Sequence, residues 1–263
     1  IQHLHFVVDV DIKGFFDNVN HTKLMRQMWT LGIQDKRLLC IIKEMLKAPI
    51  VLPSGEKIYP DKGTPQGGIL SPLLSNIVLN ELDWWVSSQW EDIPTHTVIK
   101  EGTAKNGTPN RSNKCRTLRR SNLKEMYIVR YADDFRIFCR KRSDAIKTYH
   151  AVKQWLEERL KLQISEEKSK VVNLKKNYSE FLGFKLKAVP RGNKHIVRSH
   201  MCDKAIQNTT KKLKAQIDYI QHPVNRKEEY KAILLYNSMV IGRHQYFAIA
   251  TLISDDCYQM GRS

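Results

Sequence analysis

The sequence lacks the patterns that would place it among disulfide-rich, zinc-binding or membrane-spanning proteins. Its five cysteines lie far apart, with no C-x-x-C pair. This spacing argues against a zinc module and a disulfide framework, and it favours a reducing compartment. No run approaches the roughly 18 consecutive apolar residues that a membrane span needs, and no signal peptide is visible. We therefore expect no contact with a membrane.

Acidic residues are few beside the basic ones. The chain of 263 residues has 27 Asp and Glu against 44 Lys and Arg, a net charge of +17 and a pI near 9.7. Such an excess repels itself unless a polyanion neutralises it, so nucleic acid is the predicted partner. The alternative is a generally basic protein, which would give no reason for the acidic cluster described next.

Two adjacent carboxylates, Asp133 and Asp134, interrupt the apolar stretch at residues 127–139. The flanking runs are rich in β-branched and aromatic residues, which predicts a hairpin with both aspartates at its turn. Asp is common in turns, so this pair alone would mean little. A second acidic strand is predicted at residues 4–12, where alternation puts Val7, Asp9 and Asp11 on one face.

If that strand lies beside the hairpin, Asp11, Asp133 and Asp134 converge at one edge of a sheet. Like charges at close range raise each other's pKa, so such a cluster is expected to need a cation. Carboxylate oxygens suit Mg²⁺, which also takes phosphate oxygens as ligands. Two such ions about 3.5–4 Å apart serve in-line displacement at phosphorus in polymerases and nucleases.

Five short motifs carry a family resemblance. They are DIKGFFD at 11–17, GTPQGGILSP at 63–72, YADD at 131–134, LQISEEKS at 162–169 and FLGF at 181–184. In this order they resemble a reverse transcriptase, and more narrowly the proteins encoded by group II introns. The resemblance covers residues 4–190, with a weaker match as far as Phe247. Retron, CRISPR-associated and diversity-generating reverse transcriptases share the core motifs, so the subfamily stays open.

The resemblance implies an α+β fold: a right-hand polymerase palm, with an antiparallel sheet and helices, followed by an all-helical thumb. The palm would span residues 1–197, with partial fingers at 18–66 and a basic insertion at 92–124. The thumb, also called domain X, would span 198–263. The family carries fingers motifs upstream of the first Asp strand, and this chain starts in that strand without Met. We therefore expect it to be a fragment that polymerises poorly by itself.

The resemblance also assigns residues to the site. The predicted metal ligands, for two Mg²⁺ ions with Mn²⁺ as a substitute, are Asp11, Ile12, Asp133 and Asp134. Of these, Asp11, Asp133 and Asp134 are the predicted catalytic residues. The predicted nucleotide-binding residues are Ile12, Phe16, Gln66, Gly67 and Lys168. Phe16 would lie under the sugar, where its bulk would exclude a 2′-OH and so select deoxynucleotides.

Two basic groups are predicted to bind RNA. The first, in the insertion, comprises Arg116, Arg119 and Arg120; the second, on the first thumb helix, comprises Lys204, Lys211, Lys212 and Lys214. The insertion is polar, and we expect that it buries too little apolar surface to order itself. A solvated loop is therefore the alternative to an RNA contact there.

Hydrophobic spacing predicts the remaining elements. Helices are expected at 21–31, 35–47, 71–90, 143–161 and 199–221, one or two helices at 226–253, a hairpin at 50–60, and a strand from Phe181 to Leu186. Core spacing in the second helix selects Leu38, Ile41, Ile42, Met45 and Leu46. The three tryptophans at 84, 85 and 90 are interpreted as core residues.

The implied function is RNA-directed DNA polymerisation, with RNA template, DNA primer and dNTPs as partners. It would serve mobility of a group II intron, whose RNA the protein would also bind to assist splicing. One alternative is a maturase, an RNA-binding splicing cofactor with little polymerase activity. Another is a primer-independent RNA polymerase, against which Phe16 argues. We expect a bacterial cytoplasmic location, with an organelle as the alternative, and homodimerisation stays open.

Overall fold

The structure is a computed structural model that describes residues 3–65, 67–95 and 102–262. It has mixed α and β structure with antiparallel sheets, so the predicted α+β class is confirmed. The chain divides into two compact units, residues 3–172 and 173–262. In the described part, no helix is both long and apolar enough to cross a membrane.

The strands are short except for one long hairpin near residue 190. They are β1 Phe6–Val10, β2 Ile50–Val51, β3 Lys57–Ile58, β4 Gly102–Thr103, β5 Pro109–Asn110, β6 Met126–Tyr131, β7 Asp134–Cys139, β8 Lys170–Asn173, β9 Ser179–Phe181, β10 Phe184–Arg191 and β11 Lys194–Met201. The helices are α1 Phe15–Asn18, α2 His21–Thr30, α3 Lys36–Lys47, α4 Ser71–Gln89, α5 Ser112–Leu118, α6 Arg142–Trp155, α7 Asp203–Gln221, α8 Arg226–Phe247 and α9 Ile253–Arg262. A π-helical turn, Leu156–Leu160, extends α6.

The first unit is built on a four-stranded sheet with the order β6-β7-β1-β8. Strand β7 pairs antiparallel with both β6 and β1, as predicted for the acidic hairpin and the strand beside it. Val8, Val10, Phe135 and Ile137 are buried in the core that this sheet shares with α4 and α6. Burying these side chains fixes the register, because a one-residue slip would turn every one of them outward.

The two helices and the hairpin predicted between residues 21 and 60 form, but their core is smaller than predicted. Helices α2 and α3 and the β2–β3 hairpin are present. In α3 only Ile42 and Leu46 are buried, while Leu38, Ile41 and Met45 remain exposed, so the predicted core set is wrong for three residues. Five apolar positions span too wide an arc of the helix to face the adjoining core together.

The interpretation of the tryptophans is wrong for one of the three. Trp90 is fully buried, and its Nε1 donates to the Tyr127 hydroxyl at 3.0 Å. Trp85 is stacked on Trp155 with the ring centroids 5.2 Å apart. Trp84 is 65 % exposed. Adjacent residues of a helix point about 100° apart, so both cannot face the same core.

The basic insertion is more ordered than its composition predicts. Residues 102–110 form the small β4–β5 hairpin, and α5 follows it. Leu118 at the end of α5 is buried in the main core, and Arg119 pairs with buried Glu125. The buried Leu118 side chain and the ion pair with buried Glu125 thus anchor a segment whose average polarity indicates disorder.

The second unit combines a three-stranded sheet, β11-β10-β9, with the three helices α7, α8 and α9. The strand predicted from Phe181 to Leu186 is instead divided by a tight turn at Leu182 and Gly183, both with positive φ. The Leu182 carbonyl accepts a hydrogen bond from the Tyr246 hydroxyl at 3.1 Å. The Phe184 ring packs on Tyr246 and Phe247, so α8 holds this turn.

The predicted boundary after residue 197 falls within β11, so the second compact unit begins earlier than predicted. Strand β11 is tied to α9 by Asp256, which accepts from the Met201 amide at 2.8 Å and contacts His200 at 2.8 Å. These bonds join the last strand to the helices. The assignment of this unit to a thumb stays a prediction.

Candidate catalytic site

The register of the main sheet brings the three predicted carboxylates to one edge. In the β1–β7 pair Val10 lies opposite Phe135, and extending that register by one residue places Asp11 opposite Asp134. Tyr131 pairs with Asp134 across the β6–β7 turn, so Asp133 lies at the tip beside them. The convergence expected from the sequence is therefore present in the fold.

The charges of the other two carboxylates act on Asp133. Burial raises the pKa of its carboxyl, and the negative charges of Asp134 and Asp11 raise it further, against a lowering by a backbone hydrogen bond. Each ionised neighbour makes the next carboxylate harder to ionise. The site thus holds electrostatic repulsion that a cation would relieve.

Asp134 is held by an arginine that the sequence reasoning missed. Arg136 Nη1 donates to Asp134 Oδ1 at 2.6 Å, and Arg136 Nε lies 2.8 Å from Oδ1 of buried Asp9. Arg136 follows Asp134 by two positions, so both side chains lie on one face of β7. Asp9 lies opposite Arg136 in the sheet. Asp134 is accordingly the least available of the three carboxylates.

A second missed arginine braces the turn itself. Arg130 forms a bidentate pair with Asp83 of α4, with Nε and Nη2 donating at 2.8 and 2.5 Å to Oδ1 and Oδ2 respectively. Its Nη1 donates to Asn76 Oδ1 at 2.9 Å and to the Ala132 carbonyl at 2.8 Å. Ala132 has φ of 53°, a conformation that non-glycine residues adopt only when their surroundings impose it. The brace therefore helps to hold the backbone on which Asp133 sits.

Asp11 is positioned by backbone contacts with the LQISEEKS motif. Its carbonyl accepts from the Ser165 amide at 2.8 Å, and its own amide donates to Ser169 Oγ at 3.1 Å. Ile12 and Ile164 form an isolated antiparallel bridge. Its two hydrogen bonds run from the Lys13 amide to the Gln163 carbonyl and from the Ser165 amide to the Asp11 carbonyl, so neither involves the Ile12 carbonyl. The Asp11 carboxylate is about half exposed, with Lys168 Nζ 3.7 Å from its Oδ2.

The glycine-rich loop is attached to the short helix that carries Phe16. The Thr64 amide donates to the Phe16 carbonyl at 2.6 Å. Gly63 has φ of 93°, and a Cβ there would lie 3.0 Å from that carbonyl oxygen, so only glycine fits. Phe16 is partly buried and lies edge-on to Phe15, with the ring centroids 5.4 Å apart. Gly67 is exposed with φ of 80°, while Gln66 lies outside the described residues.

The predicted RNA-binding arginines differ in availability. Arg119 donates to both carboxylate oxygens of Glu125, at 2.9 and 2.5 Å, so its charge already has a buried partner. Arg116 and Arg120 are exposed and line an open depression with Arg111. The four predicted lysines of α7, at 204, 211, 212 and 214, are all exposed. They lie in the second compact unit, whereas the carboxylates lie in the first.

The donor set fits a divalent metal bound together with a substrate. Among the described residues, no three His, Cys, Asp or Glu side chains form a complete ligand set. Mg²⁺ commonly takes one or two carboxylates and completes its octahedron with water and phosphate oxygens. Asp11 and Asp133 would supply those carboxylates, because Asp134 is bound by Arg136.

Comparison with known proteins identifies the family. A family model described as reverse transcriptase (RNA-dependent DNA polymerase) matches residues 1–186, which include all three carboxylates and all five sequence motifs. The chain belongs to the reverse transcriptase family.

Similar proteins include two that are named for introns. The chain is 28 % identical to the group II intron-encoded protein LtrA of Lactococcus lactis subsp. cremoris, over 93 % of this chain and 49 % of LtrA. It is 25 % identical to the putative COX1/OXI3 intron 2 protein of Saccharomyces cerevisiae, over 95 % of this chain and 34 % of that protein. The chain thus spans half or less of these relatives. A telomerase structure from Candida tropicalis, in complex with a telomeric RNA fragment, gives a TM-score of 0.49 at 11 % identity, covering 92 % of this chain and 38 % of that one.

Because its neighbours repel the Asp133 carboxylate, we expect this residue to lower the stability of the fold while it serves the proposed metal site. Asp133→Asn should melt at a higher temperature than the parent chain at pH 7 without metal, since it removes a charge that burial and two neighbours disfavour. A carboxyl whose pKa is raised in the folded state makes the fold less stable as the pH rises above the ordinary Asp pKa near 3.9. The difference in melting temperature between Asp133→Asn and the parent chain should therefore shrink towards acid pH.

Melting curves over a pH series would measure this effect, with Asp218→Asn as the control because that carboxylate is 78 % exposed. Mg²⁺ should stabilise the parent chain more than Asp133→Asn. A variant that melts below the parent at pH 7 would contradict the account of this site.

The contacts of Arg130 with Asp83, Asn76 and the Ala132 carbonyl, which we call the brace, predict a distinct effect for Arg130→Lys. One ammonium group cannot replace the bidentate pair and also reach the Ala132 carbonyl. We expect a loss of about 1–3 kcal/mol in unfolding free energy, from the unsatisfied partners, and a higher Mg²⁺ concentration for half-maximal primer extension.

Arg159→Lys is the matched control, since Arg159 is exposed and pairs with Glu81, which like Asp83 lies on α4. It should change neither quantity appreciably. An unchanged Mg²⁺ midpoint for Arg130→Lys, together with lower stability, would mean that the brace supports the fold alone.

Proposed function

We propose that this chain carries the polymerising centre of an RNA-directed DNA polymerase, joining a primer 3′-OH to the α-phosphate of a dNTP with release of pyrophosphate. The observation that supports it best is the convergence of Asp11 and Asp133 at one sheet edge, within the segment that matches the reverse transcriptase family. A chain that only bound RNA would gain nothing from partly buried carboxylates that repel each other.

The protein groups would act mainly by position and charge. Asp11, Asp133 and the Ile12 carbonyl would hold two Mg²⁺ ions, which lower the pKa of the 3′-OH and neutralise charge on the leaving group. Arg136 would keep Asp134 outside the direct ligand set. Lys168, next to Asp11, would contact the triphosphate.

The nucleotide would lie against the residues that follow Asp11. Phe16 stands five positions after it, partly buried and fixed by Phe15 and by the Thr64 bond. A rigid ring at that place would exclude a ribose 2′-OH. Gln66 and Gly67 are proposed to contact the base pair, with the glycine allowing close backbone approach.

The setting we propose is a group II intron, whose RNA the parent protein would copy for mobility and bind to assist splicing. The sequence similarity to intron-encoded proteins supports it. Splicing assistance as a maturase is the second candidate function, favoured by the exposed lysines of α7, which carry positive charge in a different unit from the carboxylates. We also propose a reducing location, the bacterial cytoplasm, from the scattered free cysteines.

Primer extension on an RNA template with dNTPs and Mg²⁺ tests the proposal. The parent chain, and a longer protein containing it where one exists, would be compared with Asp133→Ala/Asp134→Ala. Removal of these two carboxylates should abolish synthesis, because Asp11 would be the one carboxylate of the three left to hold the metal ions.

RNA affinity measured on the same preparations separates the two candidate functions. Loss of synthesis with retained RNA binding supports the polymerase. No synthesis from any preparation, with tight RNA binding by all of them, would overturn the polymerase proposal and favour the maturase.

Phe16→Ala tests the sugar selection. The variant should incorporate rNTPs relative to dNTPs at a higher ratio than the parent, because the space under the 2′ position is enlarged. Phe15→Ala is unsuitable as a control, since Phe15 is fully buried in the core. Tyr59→Ala is the control, because it removes an aromatic side chain that is 71 % exposed. An unchanged ratio for Phe16→Ala would remove Phe16 from this role.

A further inference from the structure

The β10–β11 hairpin carries an unassigned row of positive charge on one face. Residues of opposite strands pair as Lys185 with His200, Lys187 with Arg198, Val189 with Ile196 and Arg191 with Lys194. Side chains two apart on a strand share a face. All eight of these side chains therefore lie on the same face, which we name the cationic face.

The opposite face of the hairpin anchors its base. Strand β10 presents Leu186 and buried Ala188 there, and strand β11 presents Ser199 and Met201, both buried. The Ser199 amide donates to Thr251 Oγ1 at 2.8 Å, and its carbonyl accepts from the Leu252 amide at 3.1 Å. The cationic face is thus the outer side of a strand pair that is anchored on its other side.

Counter-charges neutralise only the base of the cationic face. Lys185 pairs with Asp203 and lies opposite Glu180 of β9, and His200 contacts Asp256. Lys187 lies 5.1 Å from the centre of the Tyr178 ring. Within the described part of the chain, no ion pair is formed by Lys187, Arg198, Arg191 or Lys194.

The arrangement of these four cations is costly for the isolated protein. Lys187 lies directly opposite Arg198, and Arg191 directly opposite Lys194. Like charges facing each other across two strands destabilise the pair. The two pairs are four residues apart along the strand, roughly 13 Å, with the apolar pair Val189–Ile196 between them. An anion at each pair would turn this repulsion into attraction.

We propose that the cationic face binds the phosphodiester backbone of a nucleic acid, with one phosphate near each cross-strand pair. A polyanion with regularly spaced charges matches two cation pairs whose separation is set by the pairing of the two strands. The site is additional to the arginines of α5 and the lysines of α7. It deepens the proposed function, and its test measures binding without synthesis, so that either can fail while the other holds.

Three full-chain variants, each four charges less positive, test the surface. The first neutralises both pairs: Lys187→Gln, Arg191→Gln, Lys194→Gln and Arg198→Gln. The second is Lys187→Glu with Lys194→Glu, which places opposite charges across both pairs. The control neutralises four exposed cations around α6: Lys141→Gln, Arg142→Gln, Lys147→Gln and Lys161→Gln.

Affinity for an RNA stem-loop and for an RNA–DNA hybrid would be measured over a salt series. The first two variants should bind at least one of the probes about tenfold or more weakly, with a salt slope reduced by about one for each phosphate that the variant no longer neutralises. The control should bind both probes more tightly than these two variants and keep the slope of the parent chain. The probe that is affected identifies the source of the phosphates, the hybrid indicating template and primer and the stem-loop indicating structured RNA.

Thermal melting separates binding from structure. Lys187→Glu with Lys194→Glu should melt at or above the temperature of the parent chain, because opposite charges replace like charges across the strands. Weaker binding without loss of stability supports the proposal. Unchanged binding to both probes, a control that binds as weakly as the variants, or a variant whose melting temperature falls by several degrees would overturn it.

Discussion

Repulsion among carboxylates at one sheet edge is the constraint on which the site depends. Asp11 and Asp134 both disfavour ionisation of Asp133, which is itself partly buried. Two arginines hold the turn that carries these carboxylates: Arg136 of β7 binds Asp134, and Arg130 of β6 binds the Ala132 carbonyl. Each arginine is in turn fixed by a carboxylate outside the site, so the turn can keep its shape before a metal binds.

Positive charge is distributed so that it does not cancel the acidic site. Arg136 and Arg130 are nearly buried and already paired, while the exposed cations that we propose for phosphate binding lie on α5, on α7 and on the cationic face of the β10–β11 hairpin. Buried ion pairs set local geometry, whereas exposed cations attract phosphates over longer distances. We propose that the net charge of +17 serves binding to nucleic acid and that the carboxylates serve catalysis.

Alternation and turn chemistry were enough to predict the acidic hairpin, its partner strand and most helices. They were not enough to predict Arg136 or Arg130 as braces, because their partners Asp9 and Asp83 are known only once β1 and α4 are packed beside the hairpin. Helical spacing alone also overstated the core, since Leu38 and Trp84 share apolar character with buried neighbours but face outward. Average composition likewise missed the anchoring of α5 by Leu118.

Anomalous diffraction from Mn²⁺ in a crystal of the chain with RNA template, DNA primer and incoming dNTP would test the account most directly. It predicts metal peaks within coordinating distance of both Asp11 and Asp133, with Asp134 still bound to Arg136. A nucleotide bound in register without metal at Asp11 and Asp133, or metal held elsewhere, would contradict it.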